Sequence, residues 1–265
     1  MAISVNSNLG AMQIYNAMQK NQSATQAAQL RLATGSKVNS ASDDTSGWNI
    51  GVQLQAASLN MKSELANISD ATNFLSTAES ALQQVYDKLN TIASKQQDAT
   101  DPLKDAASLQ NDVKTAGDEI SSILSNTKIT GTDLLASAAA SFGAGSSNVT
   151  INIGSKLAMS TTNQTTLTAL QLGNATSLTT DITTFQAAVR SAITYVGNET
   201  QTLNSRSQYL TSAIANSDAS VSQIFDTDTV GDQISSSKGQ VTSQLATSML
   251  AQMNAAPQQL LRLFQ

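Results

Sequence analysis

Leu54, Met61, Ile68, Leu75, Leu82 and Leu89 stand seven residues apart, and Leu65, Val85 and Ile92 fill the three- and four-residue steps between them. A heptad stripe of this length is the sequence form of a long helix packed along one seam against a neighbour. Ser42, Asp43 and Asp44 supply cap-type side chains and negative charge where such a helix begins, and the stripe ends in a polar run before Pro102. The spacing predicts a helix over about 44–98, on the order of 80 Å long and too long for a compact globule.

The chain has only two prolines, Pro102 and Pro257, so the stretches between them are free to be helical. Leu109, Val113, Ile120, Ile123 and Leu124 predict a second helix from about Pro102, in a first-turn position, to about Lys128. Leu203, Leu210, Ile214, Val221 and Ile224 predict a third, over roughly 178–225. Between them, residues 130–175 turn rich in Gly, Ser, Thr and Asn, and Val149, Ile151 and Ile153 alternate with Thr150 and Asn152 as in a half-buried strand. The fold expected is mainly α: an elongated antiparallel bundle of long helices with terminal coiled-coil helices and a small β-hairpin excursion.

Composition narrows the function. Without His or Cys there is no imidazole acid–base chemistry, no Ser-His-Asp or Cys-His dyad, no His- or Cys-ligated metal and no disulfide. A net charge of −5 with basic residues scattered singly argues against nucleic acid as a partner. The N-terminus lacks the pattern of a cleavable secretion signal, and no apolar run reaches membrane-spanning length.

The ends differ from the middle. No Asp or Glu precedes Asp43 and none follows Asp232; before Asp43 the charges are Lys20, Arg31 and Lys37, and after Asp232 they are Lys238 and Arg262. Both ends keep amphipathic patterns, Val5, Leu9, Met12 and Tyr15 in one and Val241, Leu245, Met249 and Met253 in the other. Segments so poor in charge are expected to become buried, because an unpaired buried charge is costly. Their polar faces are rich in Gln, Asn and Ser rather than Lys and Arg, which favours self-association over a membrane surface.

The run from Arg31 to Gly47, R-L-A-T-G-S-K-V-N-S-A-S-D-D-T-S-G, resembles the bacterial flagellin signature R-L-S-S-G-x-x-I-N-S-A-x-D-D-A-A-G. The run from Ser248 to Phe264, S-M-L-A-Q-M-N-A-A-P-Q-Q-L-L-R-L-F, is similar to that family's closing S-V-L-A-Q-A-N-Q-x-P-Q-x-V-L-x-L-L. Two shorter matches, T-A-E-S-A-L at Thr77–Leu82 and T-K-I-T-G at Thr127–Gly131, fall in the same order between them.

The resemblance implies a subunit that polymerises into the flagellar filament for swimming motility, exported unfolded and residing outside the cell. It implies inner-core segments at 1–42 and 229–265, outer-tube segments at 43–136 and 178–228, and a short excursion at 137–177 in place of the large outer domains of longer relatives. The polymerisation core would then include Val5, Leu9, Met12, Leu245, Met249, Leu250, Met253 and Leu260, with the terminal helices unpartnered and disordered in the free subunit. The links between the shells would hold Arg31, Gly35, Lys37, Asp43, Asp44 and Trp48. There, Gly35 can take φ > 0 at a helix end, the aspartates are placed to pair with Arg31 and Lys37, and Trp48, where the family has a smaller residue, is expected to anchor packing.

Partners implied are further copies of the chain, the flagellar export apparatus and its chaperone, and the filament cap and hook-associated proteins, with no cofactor and no metal. The hook–filament junction protein is the alternative within the family, but the ending Leu250 to Gln258 favours flagellin. A metalloprotease insert of the kind some flagellins carry needs an H-E-x-x-H helix, which a chain without His cannot supply. A membrane-attacking translocator needs an apolar hairpin that the sequence lacks. Finally, Leu89, Thr91, Ala93 and Lys95 align with the stretch L-Q-R-V-R-E-L-A that the animal flagellin receptor contacts in strongly recognised relatives. Thr91 and Ala93 stand where that stretch has Arg, and Lys95 where it has Leu.

Overall fold

The structure is a computed structural model that describes residues 9–129, 132–133, 135, 140–142, 149–153, 155 and 175–263; the side chains of 129, 132, 133, 149, 175–180 and 256–263 lie outside the description. Five helices dominate. In chain order they are α1 (Leu9–Thr34), α2 (Thr45–Asp98), α3 (Ala106–Asn126), α4 (Ala175–Phe225) and α5 (Thr229–Leu263). Two small antiparallel ribbons follow α3. Strand β1 (Lys128–Ile129) pairs with β2 (Thr132–Asp133), and β3 (Ala140–Phe142) pairs with β4 (Val149–Ile151) in the register Ala140 to Ile151 and Phe142 to Val149. The mainly-α bundle with a β hairpin expected from the heptads is thus present, although most of 137–177 lies outside the described residues.

Contacts gather into two compact units, Met1–Ser58 with Ala215–Gln265, and Leu59–Ile214. In the second unit the heptad stripe is the core. Ile68, Leu75, Leu82, Leu89 and Ile92 of α2 are buried with Val113, Ile120 and Leu124 of α3 and with Ile182, Val189, Val196 and Leu203 of α4. Leu135, Ile151 and Ile153 join them, Phe142 meets Phe74 edge-on at 5.3 Å, and the Tyr195 hydroxyl accepts from the Asn152 N–H. The ribbon is therefore pinned onto the bundle by alternate side chains, Ile151 and Ile153, as the period-two pattern requires. Between helices, Lys88 pairs with Glu119, Lys95 with Asp112 at 2.7 Å, and Arg206 with Glu64.

One expectation about proline needs correction. Helix α3 begins at Ala106, not near Pro102, because Asp105 caps it by accepting from the Ser108 N–H at 3.0 Å and the Ala107 N–H at 3.4 Å. Pro102 sits in the preceding turn, where the Asp101 carboxylate accepts from the Leu103 N–H and the Asp101 carbonyl from the Lys104 N–H. A side-chain cap that satisfies two orphan donors outweighs proline's preference for the first turn. Helix α5, conversely, runs through Pro257 to Leu263.

The first unit is built on another plan. Its buried residues are small or polar: Ala28, Val38, Gly51, Ser58, Ser217, Asp232, Ser236 and Gly239. Ser217 donates to the Leu54 carbonyl and Ser58 donates to Asp218 at 2.6 Å, so the seam of α2 and α4 there is fastened by hydroxyls instead of aliphatic side chains.

Candidate assembly surface

Two links connect the helices of the first unit, residues 35–44 between α1 and α2 and residues 226–228 between α4 and α5. Gly35 ends α1 at φ 71°, a left-handed conformation that disfavours any side chain, and its N–H closes onto the Arg31 carbonyl at 2.8 Å. The links then zip together. The Thr227 N–H donates to the Gly35 carbonyl at 3.1 Å, the Lys37 N–H to the Phe225 carbonyl at 2.6 Å, and the Ser36 hydroxyl to the same carbonyl at 3.0 Å. Each link closes on an aspartate cap: Asp44 accepts from the Ser46 and Gly47 N–H groups, and Asp228 from those of Val230 and Gly231.

Ion pairing within the chain differs from one half of the expectation, in which Asp43 and Asp44 pair with Arg31 and Lys37 within or between subunits. The Asp43 carboxylate is taken up by its own loop, accepting from the N–H groups of Asn39 and Ser40 and from the Ser40 hydroxyl. The Ser40 and Asn39 N–H groups, in that order, hold its pKa below the usual carboxylate range, and Arg31 contributes least. Asp44 is committed to its cap, and the Lys37 ammonium donates to the Gln223 carbonyl.

Arg31 instead reaches Asp232, its Nη2 2.8 Å and Nε 3.0 Å from Oδ1, while the Thr227 hydroxyl donates to Oδ2. Arg31 lies in the last turn of α1 and Asp232 in the first turn of α5, so each charge also suits its own helix dipole. The Arg31 hydrogen bonds first, then Thr227, lower the Asp232 pKa.

Trp48 packs edge-on to Phe225, centroids 5.9 Å apart. Phe225 in turn lies on Gly51, where a Cβ would stand 2.3 Å from its ring.

Helices α1 and α5 pair with one another, whereas the terminal helices were expected to lack a partner in the single chain. They come close at Gly239, where a Cβ would lie 2.0 Å from the Thr25 Oγ1. One turn away, the Asn21 amide donates to the Gly239 carbonyl at 2.8 Å and to the Thr242 hydroxyl at 2.7 Å. Small and polar residues thus occupy the seam, and the large apolar side chains are left outside it. Leu9 is 70% exposed, Met12 64%, Leu245 59% and Met249 53%, with Val230, Ile234 and Val241 also exposed. Ile14, Ala17, Met18, Asn21, Thr242, Leu245, Ala246 and Met249 line an open groove of about 380 Å³ between the two helices.

Of the other residues expected at the polymerisation core, Leu250 is half-buried and Met253 is 36% exposed. The side chain of Leu260 and the whole of Val5 lie outside the described residues. In the stretch aligned with the receptor contact, Leu89 is buried in the bundle, Thr91 is exposed, Ala93 packs partly against the core and Lys95 is tied to Asp112.

Sequence reasoning did not single out Thr25, Gly51, Phe225, Asp232 or Gly239 as site residues. A signal existed for one of them: Asp232 is the last acid before an acid-free tail and therefore the natural partner for a lone arginine in an acid-free head. Among the described residues there is no cluster of acidic side chains able to hold a metal, and no helix is long and apolar enough to cross a membrane.

Comparison with known proteins follows the same division of the chain. Residues 5–140 match the bacterial flagellin N-terminal helical region and residues 179–264 match the bacterial flagellin C-terminal helical region. The flagellin of Aquifex pyrophilus is 37% identical over 89 residues, which is 34% of this chain and 18% of the relative. The polar flagellin B/D of Vibrio parahaemolyticus is 34% identical over 84 residues, 32% of this chain and 22% of the relative, and flagellin C of Vibrio cholerae is 33% identical over the same length and shares. The alignments thus cover about a fifth of the length of these relatives. With both helical regions matched in order and only residues 141–178 between them, the chain belongs to the bacterial flagellin family.

Proposed function

We propose that the chain is the structural subunit of a bacterial flagellar filament, outside the cell, and that copies assemble through the outer faces of α1 and α5. The observation that carries this reading is the inside-out packing of the first unit. Its buried positions are small or polar, while Leu9, Met12, Val230, Ile234, Val241, Leu245 and Met249 stay open. Each such side chain is worth roughly 1.5–3 kcal/mol if covered completely, and exposed apolar side chains gathered on two paired helices mark an interaction surface. Head-to-tail contacts between such faces that do not close into a ring generate a helical filament.

Within that reading, residues 1–42 and 229–265 form the inner core, 43–136 and 178–228 the outer tube, and 137–177 a small β-rich excursion. Arg31, Gly35, Lys37, Asp43, Asp44 and Trp48 belong to the connection between the layers. The chain's partners are its own copies, then the export apparatus and its chaperone, and the cap and hook-associated proteins at the filament ends. It performs no catalysis; filament formation is its activity.

The test is assembly of purified chains, read by electron microscopy and sedimentation. Removing residues 1 to about 30, or about 240 to 265, is expected to abolish filaments while circular dichroism still reports a helical bundle. Ordinary filaments from either truncated chain would refute assembly through the terminal helices.

A further inference from the structure

The groove between α1 and α5 holds a chemistry that assembly alone does not require. The chain has seven methionines and no cysteine, so thioethers are its only sulfur. Met18 and Met249 line the groove from opposite helices, and Met12 and Met253 lie on the same two helices, both open to solvent. Met61, by contrast, packs against the core of the other unit.

The polar groups in the groove are already committed. Both amide hydrogens of Asn21 are given away, one to the Gly239 carbonyl and one to the Thr242 hydroxyl, and the Thr242 hydroxyl itself donates back into its own helix at Lys238 or Gly239. The rest of the lining is Ile14, Ala17, Leu245 and Ala246. No lining side chain therefore has a hydrogen to offer a new acceptor.

We infer that this groove is an oxidation-sensitive modification site: conversion of Met18 and Met249 to the sulfoxide by a peroxide blocks assembly of the subunit and leaves its fold intact. The inference rests on the assembly reading above. In the reaction a sulfur lone pair attacks one peroxide oxygen and the O–O bond breaks. The departing hydroxide takes up the proton of the transferred oxygen and leaves as water; sulfur is oxidised by two electrons and the peroxide is reduced. In the free subunit the new S=O points into the open groove and keeps its water. When a second copy covers the groove that water is lost, and with Asn21 and Thr242 committed nothing replaces it, so the acceptor is buried unsatisfied. The modification thus acts on assembly rather than on folding, and it is reversible by methionine sulfoxide reductases, one for each epimer.

The experiment uses the full chain treated with hydrogen peroxide to partial conversion, with sulfoxides located by peptide mass spectrometry. The critical concentration for assembly is expected to rise on the order of tenfold or more, with an unchanged circular dichroism melt and with recovery after treatment with both reductases. The double variant Met18→Leu with Met249→Leu keeps apolar volume, and its critical concentration, compared with its own untreated value, is expected to rise much less on peroxide treatment than that of wild type. A readout independent of any variant comes from partly oxidised wild type allowed to assemble and then pelleted: sulfoxide at Met18 and Met249 is enriched in the supernatant. Equal sulfoxide at these positions in pellet and supernatant overturns the inference while leaving the assembly reading in place. An oxidised Leu variant that loses assembly as wild type does, for example through Trp48, overturns it as well. If the untreated chain itself does not polymerise, the assembly reading falls and takes this inference with it.

Discussion

Gly239→Ala sets two effects of opposite sign against each other. In a helix interior, alanine is favoured over glycine by about 1 kcal/mol, so a reading of α5 in isolation predicts stabilisation. The pairing of α1 with α5 predicts the reverse. The new Cβ would stand 2.0 Å from the Thr25 Oγ1, 3.1 Å from its Cβ and 3.4 Å from its Cγ2. Rotating Thr25 exchanges one branch for another and leaves its Cβ in place, so the helices must separate by several tenths of an ångström. That movement also lengthens the two hydrogen bonds from Asn21 to Gly239 and Thr242.

Overpacking of this kind costs typically about 1–3 kcal/mol, and the strained hydrogen bonds add about 1 kcal/mol. Set against the alanine preference, the net expectation is a loss of about 1–3 kcal/mol. Hydrogen exchange on the full chain reports it locally: protection of the amides from Asn21 to Ala28 falls, while that of Leu75 to Ile92 does not. Adding Thr25→Ala removes the 2.0 Å overlap and recovers most of the loss. If Gly239→Ala protects α1 as well as or better than wild type, the close approach at Gly239 does not hold the pair together.

Leu82→Asp places a carboxylate in the fully buried seam of the α2 bundle and is expected to cost several kcal/mol, seen as an early melt by circular dichroism. An unchanged melt refutes the burial. Asp232 has its pKa depressed in the folded state by Arg31 and then Thr227, so its contribution is complete above the ordinary carboxylate value of ~3.9 and is lost as pH falls through the depressed value. Because Asp43 is depressed too, by its own loop, the readout is hydrogen exchange at the start of α5, where Asp232→Asn flattens the acid limb; an acid limb unaltered by that change refutes the pairing. Weak or absent activation of the animal flagellin receptor is expected in a reporter-cell assay, since Thr91 lacks the donor fork of an arginine and Lys95 brings a charge. Thr91→Arg with Lys95→Leu should raise potency, the lost Lys95–Asp112 surface pair being worth little, and potency equal to that of a strongly recognised flagellin refutes the expectation.

The parts of this molecule legible in sequence are those whose cause is local and periodic. Ile68, Leu75, Leu82 and Leu89 repeat at the spacing that the bundle seam demands, and the Ser42–Asp44 cap signal precedes them, so α2 can be bounded within a residue of its observed start. Gly35 and the aspartates after it are legible for the same reason, since caps and left-handed turns are decided within four residues. Pro102 misleads because two local signals compete and the Asp105 cap wins. What stays hidden joins residues far apart in sequence. Arg31 and Asp232 are separated by 201 positions.

The terminal helices carry the more general point. Apolar residues on a helix are ordinarily assigned to the seam with its neighbour, and for α2, α3 and α4 in the second unit that assignment holds. For α1 and α5 the glycine, threonine and asparagine positions make the seam, because Gly239 lets Thr25 and Asn21 reach the facing backbone. Where the two helices approach on small residues, Leu245, Met249 and Met12 stay largely exposed at the edges of the seam. The same substitution pattern that weakens the pair as a core therefore builds its outer surface: enlarging the seam residues would push the helices apart and draw the apolar side chains inward. A tightly packed terminal pair and an exposed apolar outer face are in this chain one property of the placement of glycine.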